Sequence, residues 1–150
     1  MWSARVRCDD SGGVVIRPKV PKPTKAEEVR AFAMATHRDV SCQRCGGKCG
    51  APNRDHRKDK SVGGVTVASN LQILGGSGTT GCHGWKTDHP AEAIAEGYAV
   101  PGYADPKEWP ARRLGNRYGQ QRHIWVLYDD DGGFTEISDV EAMQRMAVEQ

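Results

Sequence analysis

Two apolar runs joined by an Asp-Gly turn form the most distinct pattern in the chain. Residues 124–128 (IWVLY) and 134–137 (FTEI) flank that turn, and this arrangement predicts a β-hairpin. Residues 5–8 and 14–17 flank the turn-forming segment 9–13 and predict a second, N-terminal hairpin. Two further short strands are expected: one in residues 71–74 (LQIL), and one in 52–60 that leads into a basic loop.

Capping signals place the first and last helices. Thr24 and Glu27 form a capping box after a proline-rich linker, so a helix is expected from there to about Thr36. Ser138 and Glu141 form a second capping box before a C-terminal helix. The expected apolar faces of the two helices are Val29, Phe32 and Ala33 in the first, and Val140, Met143 and Met146 in the last.

Two shorter helices are expected between these ends. One begins near Cys82, and the other begins at Pro90 and covers 91–96, with Gly97 placed to end it. Residues 101–123 are interpreted as connections rich in Pro, Arg and Gly.

The composition limits how the chain is stabilised. It has 150 residues, of which 37% are hydrophobic, with 18 Gly and 8 Pro, so we expect one domain with a small apolar core and a further source of stability. It contains no apolar run long enough for a membrane span and no N-terminal signal region, which favours a cytoplasmic protein with no membrane partner.

Charge is unevenly distributed along the chain. Residues 1–60 hold 14 Lys and Arg against 7 Asp and Glu, a net charge of +7, whereas residues 61–150 hold 7 against 12, a net charge of −5. The basic half is therefore the half expected to face a polyanion such as nucleic acid.

Three short motifs follow one another in the middle of the chain. They are residues 42–45 (CQRC), residues 55–57 (DHR), and Asn70 before the strand 71–74 that leads to Cys82-His83. Each is weak alone, because such pairs occur in redox sites, surface ion pairs and turns. Together and in this order they are specific.

In this order the motifs resemble the HNH endonuclease family, and most closely the compact proteins of bacteriophages. Residues 76–85 (GSGTTGCHGW) and 89–93 (HPAEA) are similar to the phage type, and the resemblance covers about residues 38–105. It implies a ββα-metal core that hydrolyses DNA phosphodiester bonds with bound Mg²⁺ or Mn²⁺.

The resemblance also implies a role for each motif residue. Asp55 and His83 would hold the divalent cation, His56 would act as general base, and Asn70 would fix the loop that carries His56. Neighbouring side chains on a strand point to opposite faces, so Asp55 can hold the metal while His56 faces the attacking water. His89 precedes a proline and is interpreted as the start of the next helix.

Four cations surround the Asp55-His56 pair and are expected to contact DNA phosphates: Arg54, Arg57, Lys58 and Lys60. The alternative is a solvated charged loop. His37 and His123 are expected to be surface or packing residues, and the large aromatic residues are expected in the core rather than against bases: Trp85, Tyr98, Trp109 and Trp125.

Five cysteines occur, and Cys42 and Cys45 have the spacing of half a structural zinc site. Zinc-bearing relatives complete such a site with a second cysteine pair, but Gly75 stands where one of that pair is expected. The nearest replacement is Cys49, which gives the set Cys42, Cys45, Cys49 and Cys82. The alternatives are a zinc site completed by His37 and the absence of a zinc site.

The sequence therefore predicts an α+β protein with a small ββα-metal (HNH) core and a zinc knuckle. We expect an N-terminal extension (1–24), a nuclease core (25–105) and a C-terminal hairpin and helix (106–150). The expected function is nicking or double-strand cleavage of DNA, and the resemblance favours phage DNA packaging beside a terminase. The alternative is a non-catalytic, zinc-stabilised DNA-binding or packaging accessory.

Overall fold

The computed structural model describes residues 5–8, 14–17 and 20–147, and it has a mixed α+β architecture of three small antiparallel sheets and four helices. The seven strands are β1 (Arg5–Cys8), β2 (Val14–Arg17), β3 (Pro52–His56), β4 (Leu71–Gly75), β5 (Ala111–Arg117), β6 (Gln120–Tyr128) and β7 (Phe134–Ile137). The helices are α1 (Lys25–Asp39), α2 (Gly81–Asp88), α3 (Pro90–Ala95) and α4 (Asp139–Ala147). In the described part of the chain, no helix combines the length and apolar character needed to cross a membrane.

Both predicted hairpins form, but the C-terminal sheet contains a strand that the sequence did not indicate. β1 pairs with β2 and β6 pairs with β7, while the turn 9–13 lies outside the described residues. β5 pairs with β6 along its whole length, so the interpretation of residues 101–123 as connections only was wrong. β5 is polar (ARRLGNR), and its buried Arg113 is accommodated by an ion pair with Asp39, which no local pattern reveals.

Helix α1 begins as predicted and ends three residues later than expected. The Thr24 hydroxyl accepts a hydrogen bond from the Glu27 amide, and the Glu27 carboxylate accepts one from the Thr24 amide. The buried face was predicted incorrectly, since Val29 and Ala33 are exposed whereas Ala31 and Ala35 are buried. Small alanines let α1 pack closely on β4.

Helix α4 shows the same kind of error. Val140 and Met143 are exposed, and Ala142 is the residue that the helix buries. Met146 packs against the cluster around Val100 and Trp109. The helix starts where Ser138 caps it by accepting a hydrogen bond from the Glu141 amide.

The central unit that positions the site consists of β3, β4 and α2. β3 and β4 pair antiparallel in the register Asp55↔Gln72, and α2 follows β4 after a short loop and packs on it. The predicted short helix after Pro90 forms as α3, with His89 as its N-cap and Gly97 at a positive φ of 84° after its end. Tyr98, Trp109 and Trp125 are buried as expected, and Trp85 is half-buried.

Candidate metal centre and acid–histidine site

Helix α2 carries two adjacent residues that belong to two different clusters. Cys82 joins Cys42, Cys45 and Cys49 in a group of four thiols whose sulfur atoms all lie within 4.8 Å of one another. His83, the next residue, contacts Asp55 on β3. The two clusters therefore meet across the first turn of one helix.

The four-thiol cluster has the dimensions of a tetrahedral metal site. The Sγ atoms of Cys42 and Cys49 lie 3.7 Å apart. Four sulfurs at the usual Zn–S length of about 2.3 Å around one ion stand about 3.8 Å apart. The donor set and its spacing fit a metal such as zinc.

Gly75 explains why Cys49 belongs to this cluster. A Cβ atom at Gly75 would lie 2.5 Å from the Sγ atom of Cys49 and 3.6 Å from the Cβ atom of Cys42. The sulfur of Cys49 thus occupies space that any side chain at position 75 would need. Of the two residues that the sequence offers as a replacement ligand, this geometry favours Cys49 over His37, which is exposed on α1.

The turn that carries Cys42 and Cys45 is fixed by Gln43, a residue to which no sequence motif drew attention. The Gln43 side-chain amide donates to the carbonyls of Asp39 and Ser41, and its backbone amide donates to Ile73. Gln43 is 2% exposed, so these bonds form away from solvent. They tie the first thiol pair to the end of α1 and to β4.

The thiols differ in their affinity for protons. Burial alone would raise the pKa of Cys45, but hydrogen bonds from the Cys49 thiol and the Gly47 amide outweigh it and lower that pKa to about 6. Burial and the Cys49 hydrogen bond raise the pKa of Cys82, although Arg44 lies against its sulfur. Without a cation, these shifts favour the thiolate at Cys45 and the thiol at Cys49 and Cys82.

The second cluster is centred on the carboxylate of Asp55, which is 5% exposed. The His83 Nε2 atom lies 3.2 Å from one carboxylate oxygen, and the Gln72 amide donates to the other at 2.8 Å. The Lys86 ammonium lies 3.1 Å from the carboxylate and also donates to the His56 carbonyl at 2.8 Å. Three elements, β3, β4 and α2, therefore contribute side chains to one buried acid.

These contacts keep Asp55 ionised. Burial would raise the pKa of Asp55, but the His83 hydrogen bond, the charge of Lys86 and the Gln72 hydrogen bond together lower it. Lys86 and Gln72 were missed at the sequence level. Lys86 lies three residues after His83, on the same side of a helix, and could have been noticed. Gln72 could not, because its position opposite Asp55 depends on the β3–β4 register.

His56, the neighbour of Asp55, is half-buried and points to the other face of β3. Its Nε2 atom and the Thr66 hydroxyl share a hydrogen bond of 2.9 Å, and its ring meets Phe32 edge to face. Burial and the positive charge of Lys60 lower the pKa of His56. The imidazole is therefore neutral at neutral pH and able to accept a proton.

Asn70 holds the loop that follows His56. Its side-chain oxygen accepts a hydrogen bond from the Lys58 amide at 2.7 Å, and its side-chain nitrogen donates to the carbonyls of Lys58 and Val65. Gly64 is required in the same loop, since a Cβ there would lie 1.8 Å from the Lys58 carbonyl oxygen. Asn70 thus makes the side-chain-to-backbone bonds that the resemblance implied, while its part in catalysis stays a prediction.

The expected phosphate contacts divide into two kinds. Arg54 and Lys60 are exposed beside the Asp55-His56 pair. The prediction for Arg57 was wrong. Its side chain is buried, with the residue 1% exposed, and its guanidinium donates hydrogen bonds to the carbonyls of Ser69, Pro106, Trp109 and Pro110. Arg57 therefore cannot reach a phosphate. The Lys58 ammonium donates to the Ala104 carbonyl at 2.9 Å.

Other residues considered at the sequence level lie apart from both clusters. His89 is exposed and stacks on Trp85 with ring centroids 6.0 Å apart. His123 is exposed and its Nε2 atom is 2.8 Å from the Arg44 carbonyl. His123 has the surface or packing character that was expected, and His89 is the N-cap of α3, as predicted.

No protein-family model, curated protein or solved structure matches this chain.

Proposed function

We propose that this chain is a divalent-metal-dependent endonuclease of the HNH type that hydrolyses phosphodiester bonds of double-stranded DNA. The observation that carries the proposal is the meeting of Asp55 and His83, with His56 on the next position of the same strand. A buried carboxylate and an imidazole on neighbouring elements are a donor set that Mg²⁺ or Mn²⁺ can use. The bound cation would polarise the scissile phosphate and stabilise its developing charge.

His56 supplies the proton acceptor in this proposal. Its neutral imidazole takes a proton from water as the water oxygen bonds to phosphorus, and the bond from phosphorus to the 3′ oxygen breaks. The 3′ oxygen then takes a proton from solvent. Asn70 acts indirectly, because its three hydrogen bonds fix the backbone of the loop that follows His56. Arg54 and Lys60, both exposed, supply positive charge for the DNA backbone.

The four-thiol cluster has a structural part in the same proposal. Zinc held by Cys42, Cys45, Cys49 and Cys82 would fix the start of α2 against the end of α1. Because Cys82 precedes His83, the thiol site would also set the position of the His83 imidazole. A site closed by four thiolates leaves no open position for a substrate, which favours a structural metal.

A second candidate function is a zinc-stabilised DNA-binding or packaging accessory without catalysis. One observation favours it: Lys86 and Gln72 already compensate the Asp55 carboxylate without any cation. The resemblance to phage proteins makes packaging beside a terminase the role that we propose for either candidate.

Digestion of supercoiled plasmid with Mg²⁺, with Mn²⁺ and with EDTA separates the two candidates. The nuclease produces nicked or linear DNA only with a divalent cation. His56→Ala should lower the cleavage rate by about 10²- to 10⁴-fold while a gel-shift assay shows unchanged DNA binding. The matched control is His37→Ala, an exposed histidine on α1. A parent protein that binds DNA and never cuts it would establish the accessory instead.

A further inference from the structure

Strands β5 and β6 continue past the residues that pair with β7 as a two-stranded ribbon. Every residue from Asn116 to His123 is exposed, whereas the base of the ribbon, at Ala111 and Val126, is fully buried. Its tip is a two-residue turn, Tyr118-Gly119, closed by the pair Arg117↔Gln120. The outer strand β7, by contrast, pairs with β6 along its whole length.

The residue at the tip is unfavourable for folding and fully available for contact. Tyr118 has a positive φ of 54° and Gly119 one of 77°, the combination of a type I′ turn. Asn-Gly is the preferred sequence for such a turn, because a large L side chain disfavours the left-handed region. Tyr118 is nevertheless 103% exposed and contributes nothing to the core. The ring of Tyr118 is therefore free to contact a partner.

The side chains along the ribbon can form hydrogen bonds with base edges. Asn116 lies opposite Gln121, and Arg117 lies opposite Gln120, so one face of the ribbon carries two amides and the other face an amide and a guanidinium. Asn and Gln can bond adenine bidentately, and Arg can bond guanine in the same way. The ribbon therefore combines the side-chain types that read sequence in the major groove.

The charge of this segment differs from that of its surroundings. Residues 111–123 contain four arginines and no acidic residue, although residues 61–150 as a whole have a net charge of −5. Glu136 of β7 forms an ion pair with Arg117, and Arg122 lies across the ribbon opposite Gly115. Arg113 is buried against Asp39 and Arg117 is paired with Glu136, so the exposed Arg122 is the positive charge that the ribbon offers to a polyanion.

The ribbon is anchored to the four-thiol knuckle. The Gln43 side-chain oxygen accepts a hydrogen bond from the Leu114 amide, and the Arg44 carbonyl lies 2.8 Å from the His123 Nε2 atom. Both Gln43 and Arg44 lie between Cys42 and Cys45. The knuckle therefore contacts the ribbon at the pair Leu114↔His123.

We propose that the ribbon Asn116–Arg122 enters the major groove of DNA and gives the enzyme its sequence preference, an inference that rests on the proposed nuclease function. The pair Leu114↔His123, which contacts the knuckle, lies four residues before the turn residue Tyr118, a reach of about 13 Å at roughly 3.3 Å per residue. The major groove is about 8.5 Å deep and accepts a two-stranded ribbon. Tyr118 would contact bases at the floor of the groove, and Arg122 a flanking phosphate.

The test measures stability and DNA affinity of the same variants in the His56→Ala background, with a fluorescent duplex of about 30 base pairs. Tyr118→Asn should keep or raise the melting temperature, because Asn suits the left-handed turn, and should weaken binding roughly tenfold. Arg122→Gln should reduce the slope of log affinity against log salt by about one. The control Lys107→Gln removes one charge beside Asp130, elsewhere on the surface, and should change neither quantity.

Sequencing the ends of DNA cut by the active protein tests the base contacts separately. Asn116→Ala and Gln121→Ala should flatten the base preference near the cut, whereas the control Lys107→Gln should keep the base preference of the parent. Tyr118→Asn and Arg122→Gln variants that bind like the parent overturn the ribbon and leave the nuclease standing. A parent that cuts DNA with no base preference also overturns it. A parent that neither binds nor cuts duplex DNA overturns both proposals.

Discussion

The two clusters that meet on α2 reach charge balance in opposite ways. Around Asp55, the protein supplies its own compensation, since Lys86, Gln72 and His83 all contact the buried carboxylate. Around Cys42, Cys45, Cys49 and Cys82, the main cationic contact is Arg44, whose guanidinium lies 3.8 Å from the sulfur of Cys82.

If the proposed function holds, this difference separates a metal that would build the fold from a metal that would serve a reaction. Four thiolates held together repel one another, so all four thiols can be deprotonated in this geometry only around a bound cation. The Asp55 cluster can form first and take up a divalent cation later, at the expense of its contacts with Lys86 and His83. Substitutions in and around the two clusters should therefore have effects of different size.

The largest effect should come from the thiols. Cys42→Ser, Cys49→Ser and Cys82→Ser should each release the metal and lower the melting temperature by about 10 °C or more, because a structural metal site contributes folding free energy directly. Elemental analysis should find about one zinc per parent chain, and calorimetry should record the melting temperatures. Cys8→Ser, remote from the knuckle in sequence, should change neither. A parent without metal, or a Cys49→Ser variant that melts like the parent, would contradict the four-thiol site.

Removing Lys86 should make the Asp55 cluster depend on a bound cation, as we expect for the thiol cluster. Lys86→Met leaves a buried carboxylate without its cation, which should cost about 3–5 kcal/mol of unfolding free energy in EDTA. Mg²⁺ or Mn²⁺ should restore part of that loss, since a cation that binds the folded state stabilises it.

Denaturant unfolding with and without the cation measures both effects. The double variant Asp55→Asn with Lys86→Met should be destabilised by less than the sum of the single variants, because it removes both charges. If the losses of unfolding free energy in the single variants simply add, the charges of Asp55 and Lys86 do not compensate each other. The contrast between the Asp55 cluster and the thiol cluster would then be wrong.

A smaller effect is expected from the residues that would hold the divalent cation. Asp55→Asn and His83→Ala should each weaken Mn²⁺ binding at least tenfold, because each removes a donor from a small ligand set. Isothermal titration calorimetry measures this affinity directly. His89→Ala, an exposed histidine six residues beyond His83, is the control. Parent-like binding by both variants would place the cation elsewhere.

The smallest effect concerns the acidity of His56. Burial is the main cause of its lowered pKa and Lys60 the next, so Lys60→Met should raise that pKa by removing a positive charge. Only the neutral imidazole accepts a proton, so cleavage is lost as the pH falls through this pKa. The acid limb of the rate profile should therefore move to higher pH in the variant.

An NMR titration of the His56 ring checks the same shift without relying on cleavage. Lys107→Met is the control for loss of one surface charge. An unchanged pKa would show that Lys60 is too well screened by solvent to influence the general base.

Much of the local structure could be predicted because its causes lie within a few residues of each other. The capping box of Thr24 and Glu27 and the Asp-Gly hairpin turn are examples. The errors occur where packing between distant residues decides. Val29 looked like a core residue of α1, yet Ala31 and Ala35 face β4 because small side chains permit close approach. β5 was missed because Arg113 is buried only through its partner Asp39, 74 positions away.

The candidate site divides along the same line. The sequence alone determined which donors exist: the thiols, the Asp55-His56 pair, Asn70 and His83. The tertiary structure decided which of them meet. It brought the sulfur of Cys49 into the space that Gly75 leaves, and it placed Lys86 and Gln72 on Asp55. It also buried Arg57, which the sequence had assigned to DNA. The physical reason is that residue type fixes what a group can bind, whereas strand register and helix packing fix its neighbours and the charge that they leave uncompensated.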